Sequence, residues 1–224
     1  MEDFSNIINW GSVDNQSNSF KNQTPFRFAF IEDFFEREFY EKLFETYPKI
    51  DETWTLGETS TKTQFIKFWN GLGPNDVVVH DDDPQYSEEW NKLKRYVQSE
   101  EFVEKIRKFS GVPVNKLKFF QFMSYTKGGF QEPHIHNVGP STLIFMVYLS
   151  KNWVKGSPGG TYMASDVDES SIIFEPYNLD NSVAVFQDGP KAAHGIRLIT
   201  KDVERRALQI TFEGYSTDKG WTGE

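Results

Sequence analysis

Leu117-Lys118-Phe119-Phe120-Gln121-Phe122-Met123-Ser124-Tyr125 opens the part of the chain that decides the fold. From Leu117 onward the sequence breaks into short apolar runs of strand type, at 117–125, 142–149, 161–164, 171–174, 182–186, 196–199 and 206–212. Gly128-Gly129, Gly159-Gly160 and Asp188-Gly189-Pro190 supply turns between them. Upstream the period is helical. Phe39, Tyr40, Leu43, Phe44 and Tyr47 precede Pro48; Trp90, Leu93, Tyr96 and Val97, then Phe102, Val103, Ile106 and Phe109, precede Gly111 and Pro113, with a break near Ser99. Helices gathered ahead of the strands, rather than alternating with them, argue against a βαβ protein. They predict a β-rich α+β fold, a double-stranded β-helix (jelly roll) with N-terminal supporting helices.

The remaining segments complete the division. Residues 1–25 read as an irregular N-terminal arm, because 11–25 are rich in Asn, Ser and Gln and carry few apolar side chains. Residues 26–224 read as one domain, with a strand at 26–31, helices mainly in 32–110 and a β core at 117–213. Trp54, Phe65, Phe68 and Trp69 sit in a stretch without clear period, read as a lid or a covering loop whose Trp54, Trp69 and Asn70 either line a pocket or anchor the loop. Val77 to His80 read as a strand end, with Asp81, Asp82 and Asp83 forming a solvated acidic turn.

A chain of 224 residues with 21 Phe is long enough for one aromatic-rich core. A net charge of -9 argues against a nucleic-acid partner, since it repels a phosphate backbone. The chain lacks cysteine, so disulfides and thiolate ligands are ruled out and any metal must be held by nitrogen and oxygen. Met1-Glu2-Asp3-Phe4-Ser5 has neither a basic region nor a following apolar stretch, and no segment has the length of a membrane span. The expectation is a cytoplasmic protein without a membrane partner; oligomeric state is left open.

Three of the four histidines form the outline of a metal site: His134 and His136 flank Ile135, and His194 follows well downstream. Residues two apart on an extended strand face the same side. His134 and His136 can therefore address one ion, with His194 as a third ligand on a segment that runs on to a strand at Arg205–Phe212, expected to pack beside the first. Three protein ligands with open positions are the arrangement of a catalytic metal rather than a structural one.

Taken together these residues resemble the iron(II) and 2-oxoglutarate-dependent oxygenases of the prolyl-4-hydroxylase-like branch, over roughly residues 28–213. The similarity lies in Tyr125 nine positions before His134, the Pro133-His134 pair, the stretch Val147-Tyr148-Leu149-Ser150-Lys151-Asn152-Trp153, Gly159-Gly160, Val185-Phe186, His194 and Arg205. The resemblance implies iron(II) on His134 and His194, with 2-oxoglutarate and O2 as cosubstrates. It also implies that Arg205 grips the distal carboxylate of 2-oxoglutarate with support from Tyr148, and that Tyr125 reaches the cosubstrate near the metal. Arg205 rather than Arg206 fits the family pattern, and an error of one residue would turn the side chain to the other face. The implied activity is hydroxylation of an unactivated C–H bond in a small molecule, amino acid or peptide.

One position departs from the family. The usual second ligand is the carboxylate of His-x-Asp or His-x-Glu, and this chain has His136 there. A neutral imidazole leaves the site one charge more positive. The favoured reading keeps 2-oxoglutarate chemistry on a three-histidine face. Two others stand beside it: a three-histidine iron dioxygenase that does not need 2-oxoglutarate, and a catalytically inactive metal- or ligand-binding jelly roll.

Overall fold

The computed structural model describes residues 2–69, 82–136, 139, 141–216 and 220–221, with 215, 216, 220 and 221 described by backbone alone. Asn70 and the run Val77 to Asp81 lie outside these residues, so the reading of that run, His80 included, falls there too. Among the described residues, one large antiparallel sheet holds eleven strands. They are β1 (Phe28–Glu32), β2 (Thr55–Thr59), β3 (Lys62–Phe68), β4 (Lys116–Tyr125), β5 (Phe130–His134), β6 (Thr142–Tyr148), β7 (Tyr162–Ala164), β8 (Ile172–Phe174), β9 (Ser182–Gln187), β10 (Ala193–Ile196) and β11 (Arg205–Glu213). The order across the sheet is β1-β9-β6-β11-β4-β3-β5-β10-β7-β8, with β2 paired to β3.

The sheet curls into a jelly roll, and β3 makes one corner. Its Phe65–Phe68 half pairs with β4, while Lys62 and Thr63 pair with Phe130 and Gln131 of β5. At the far ends of the strand order, β1 and β8 meet through rings: Phe174 lies 5.8 Å from Phe28 and 5.6 Å from Phe30.

Alternation along the strands builds two cores on opposite faces of β4, β6 and β11. Phe120, Phe122, Phe145, Val147, Leu208 and Ile210 face outward into a cluster shared with the helices. Met123, Tyr125, Ile144, Met146, Tyr148 and Ala207 face into the roll. The helices on the outer side are α1 (Trp10–Asn15), α2 (Ser17–Asn22), α3 (Arg37–Glu45), α4 (Glu88–Gln98) and α5 (Glu100–Ser110). The break expected near Ser99 is the junction of α4 and α5. There the Ser99 side chain accepts from the Phe102 amide, which satisfies an orphan donor of the new helix. Gly111 then ends α5 with a left-handed φ of 69°, which glycine adopts without a Cβ penalty.

Three expectations are corrected. The N-terminal arm is not irregular throughout, because α1 and α2 form by docking. Val13 and Phe20 are buried, Phe20 packs on Phe109 of α5, and Trp10 donates to the Tyr96 hydroxyl. The stretch around Trp54 and Trp69 is neither lid nor loop but largely the β2–β3 hairpin. Trp54 and Trp69 are buried in the helix-side core, with Trp69 stacked on Tyr86 at 3.9 Å. Finally, His134's strand lies between β3 and β10, while β11 lies between β4 and β6. Of the acidic run, Asp82 pairs with Arg95, and Asp83 accepts from the Gln85 amide.

Candidate metal centre

His134 closes β5 directly opposite His194 of β10, so the antiparallel register sets the two rings side by side, with centroids 4.3 Å apart. His136 lies just beyond the strand end, and its ring stands 4.8 Å from each of the others. One ring nitrogen from each histidine falls within 4.8 Å of the other two.

Backbone carbonyls set the direction of two of these rings. His134 Nδ1 donates to the Glu132 carbonyl at 3.0 Å, and His194 Nδ1 donates to the Ala192 carbonyl at 2.9 Å. A carbonyl can only accept, so the proton sits on Nδ1 and each Nε2 turns a lone pair inward, the usual outer support of a metal-binding histidine. His134 Nε2 and His136 Nε2 are 3.1 Å apart. Two nitrogens each ~2.1 Å from one ion and at right angles to each other would have about this separation. The donor set therefore fits a divalent cation that accepts imidazole.

Burial lowers the pKa of all three rings. For His194 it acts most strongly, and the neighbouring His134 and His136 push the same way. In His134 and His136, burial is again the main cause; the charge of Lys62 adds to it and that of Asp188 partly offsets it. The rings are thus neutral near neutral pH, the form that binds metal. The same shifts give the metal-free protein a pH dependence. Unfolding returns each ring to its ordinary value of 6.5. Below that value the unfolded chain binds more protons than the folded one, so stability is full above it and falls as the pH drops toward the folded values. A melting temperature measured without metal should fall from pH ~7 to pH ~5, and saturating metal should raise it wherever the ion still binds.

Gly195, next to His194, shows how tightly this region is packed. A Cβ there would lie 2.4 Å from the Tyr162 hydroxyl and 2.7 Å from the Gln131 carbonyl. Gly195→Ala should cost about 1–3 kcal/mol through overpacking. At roughly 2–4 °C per kcal/mol for a chain of this size, calorimetry would read that directly.

Deeper in the roll, Arg205 opens β11 opposite Tyr125 and is fully buried. Its guanidinium lies between the rings of Tyr125 and Tyr148, 5.0 Å from each. Nε donates to the Gly159 carbonyl at 2.8 Å, and Nη2 donates to the Thr161 hydroxyl at 3.0 Å. Nη1 is buried and has no partner among the described residues. The Tyr148 hydroxyl accepts from the Thr161 amide at 2.9 Å. Burial raises the pKa of both tyrosines against the opposing charge of Arg205, so both stay protonated. Arg206, one residue on, faces the other way; it pairs with Glu204 and lies over the rings of Phe44 and Tyr47.

Two glutamines link these groups. The Tyr125 hydroxyl donates to the side-chain carbonyls of Gln64 and Gln131, and Gln131 Nε2 donates to His134 Nε2 at 3.3 Å. The histidines border a cavity of about 590 Å³ that Gln64, Gln131 and Thr161 also line and that runs along the inner faces of β4, β6 and β11. Arg205 and Tyr148 sit behind its wall, reached through Thr161.

No protein-family model matches the chain, and no curated protein matches it. Solved structures do. The chain matches a Pseudomonas putida prolyl-4-hydroxylase over 92% of its own length and 99% of that chain, with 12% identity and a TM-score of 0.60. A prolyl hydroxylase from Trichoplax adhaerens, in complex with a hypoxia inducible factor oxygen degradation domain peptide fragment, matches over 92% and 89% with 14% identity and a TM-score of 0.61. The fold is that of the prolyl-hydroxylase-like oxygenases. This oxygenase fold also carries other chemistry. The non-heme alpha ketoglutarate dependent epimerase SnoN from nogalamycin biosynthesis matches over 92% and 84%, with 9% identity and a TM-score of 0.59. Function must therefore be argued from the site.

Sequence reasoning did not find several residues that the oxygenase fold brings to this site: Lys62 and Gln64 of β3, Gln131 of β5, and Thr161. Gln121 and Gln209 also line the cavity, paired across β4 and β11, with Gln121 Nε2 donating to Gln209 Oε1 at 2.6 Å. A signal existed for Gln121, the one amide among the inward residues Phe119, Gln121, Met123 and Tyr125 of β4, but not for Gln209, whose strand carries several polar residues.

Proposed function

We propose that the protein is a non-haem iron(II)/2-oxoglutarate-dependent oxygenase that hydroxylates an unactivated C–H bond of a small molecule, amino acid or peptide in the cytoplasm. One observation carries the reading: a buried guanidinium with an unused Nη1 is tied through Tyr125 and Gln131 to three convergent imidazoles on one cavity. A buried cation missing a partner is costly, and a carboxylate is the natural group to complete it. His134, His136 and His194 would hold the iron, and Arg205 would bind the distal carboxylate of 2-oxoglutarate. When bound, the iron supplies the activation of O2 that couples decarboxylation of 2-oxoglutarate to oxidation of the substrate.

The remaining roles belong to the side chains. Tyr125 and Tyr148 clamp the guanidinium and stay protonated, so Arg205 keeps its direction and its full charge. Thr161 occupies Nη2, which leaves Nη1 as the donor available to a carboxylate. Gln131 keeps the Tyr125 hydroxyl placed beside the His134 ring; its own bond to His134 Nε2 uses the lone pair that a metal would take, so that amide would be released to face the metal or its ligands when the ion binds. Met123, Ile144, Met146 and Phe186 give the cavity apolar walls that exclude water from the reacting C–H bond. The neighbours described as a peptide complex and as an alpha ketoglutarate dependent epimerase agree with a peptide or small-molecule substrate and a 2-oxo acid cosubstrate. The carboxylate-free donor set favours the second reading, a three-histidine iron dioxygenase that does not use 2-oxoglutarate.

An anaerobic titration of the iron(II)-loaded protein with 2-oxoglutarate separates the two. A visible metal-to-ligand charge-transfer band that saturates is the expected result. Tight iron binding without a band would overturn the 2-oxoglutarate reading and leave the three-histidine dioxygenase or a binding module.

A further inference from the structure

The cavity has a second pair of polar side chains that the proposed chemistry does not use. Glu213 closes β11 and Thr142 opens β6, paired in register across the two strands. Both line the cavity, and both are buried, at 4% and 2% exposure. Glu213 Oε2 and Thr142 Oγ1 have no hydrogen-bond partner among the described residues. Buried acceptors are ordinarily satisfied, so two neighbouring ones aimed into a cavity point to a donor that arrives with a ligand.

The surroundings narrow the chemistry of that donor. Lys118 Nζ, on the irregularity where the β4–β11 register shifts, forms a loose ion pair with Glu213 Oε2 at 3.8 Å, too long for a hydrogen bond, and its own side chain is partly exposed. Thr211, the next inward residue of β11, already accepts from Gln209, which in turn accepts from Gln121. Those amides and Thr211 are engaged with one another, and Glu213 Oε2, ion-paired to Lys118, still lacks a hydrogen-bond donor among the described residues. Burial raises the Glu213 pKa, with Lys118 and Lys116 opposing, so a bound cation would relieve a desolvated charge.

We infer that Glu213 and Thr142 form a recognition subsite for a primary ammonium group on the substrate. An ammonium brings three N–H donors, no acceptor and the matching charge. An alcohol has a single donor and no charge, and a carboxylate would be repelled. Glu213, Thr142 and the three histidines line one cavity of about 590 Å³, so the substrate is an amine of small-molecule or amino-acid size with its reacting carbon toward the histidines. The placement of that carbon rests on the oxygenase reading; the ammonium subsite does not.

The test uses three probes of equal length, n-pentylammonium, 1-pentanol and pentanoate, with the iron(II)-loaded protein under anaerobic conditions at fixed ionic strength. Binding is followed by ligand-observed NMR, alongside the 2-oxoglutarate charge-transfer titration. The expected result is that n-pentylammonium binds at least ~10-fold tighter than 1-pentanol while pentanoate does not bind. Glu213→Gln should erase that preference, and Thr142→Val should reduce it, with the charge-transfer band unchanged in both. A preference that survives both substitutions, equal binding of the ammonium and the alcohol, or no binding of the ammonium at all would each overturn the subsite. Should Glu213→Gln fail to fold, Thr142→Val decides, since an unchanged preference in it overturns the pair. Loss of the band with the preference intact would instead remove the 2-oxoglutarate reading and leave the subsite standing.

Discussion

Replacing His194 by alanine abolishes the 2-oxoglutarate charge-transfer band and weakens iron(II) binding by more than ~100-fold, the upper range seen when only the outer support of a ligand is removed. His194 has the strongest claim of the three histidines because its neighbours fix it most completely. It is buried, its Nδ1 is committed to the Ala192 carbonyl, and the β5–β10 register holds it against His134. Metal titration by calorimetry, with the absorbance band read in parallel, checks both parts. Binding within a few-fold of the unmodified protein would remove His194 from the ligand set. His136, on the chain just past the strand end and more exposed, should show a smaller loss on the same substitution.

Arg205→Ala should weaken 2-oxoglutarate by roughly 2–5 kcal/mol, the range for truncating one partner of a buried charge pair, equivalent to ~30-fold or more. The substitution also removes a desolvated guanidinium from between two tyrosine rings and leaves the Gly159 carbonyl and the Thr161 hydroxyl without their donor. Stability should therefore fall as well, and the two effects need separate readouts. The band titration, run well below the melting transition, reports the affinity; thermal unfolding reports the packing. A lower melting temperature with unchanged 2-oxoglutarate affinity would make Arg205 structural. Arg206→Ala is the matched control. Its side chain pairs with Glu204 on the opposite face of the strand, so the affinity should not change.

The candidate site was legible in part, for reasons that particular residues make plain. The histidine pattern and the helices ending near Pro48 and Gly111 could be read because each rests on local spacing or a local stop signal. β3 could not. Its Lys62, Gln64, Ile66 and Phe68 line the cavity, and polar residues on a cavity wall blur the alternation that marks a strand. β10 begins before its apolar run because its first residues are Ala193, the candidate ligand His194 and the close-packed Gly195, none of which has marked strand propensity. The N-terminal helices were hidden because six-residue helices gain little from propensity and form only once Val13 and Phe20 find a surface.

By itself the sequence determined the class of the fold, the imidazole and carboxylate limits on any metal site, and which residue types could serve there. Those follow from periodicity, stop signals and the absence of cysteine, all of which act over a few residues or over composition. Tertiary structure alone decided which strands adjoin. It set His194 against His134, turned Arg205 inward and Arg206 outward, and brought Glu213 and Thr142 together on the same cavity. Strand pairing joins residues far apart in the chain, and the side of the sheet that each one faces is fixed only when the register closes.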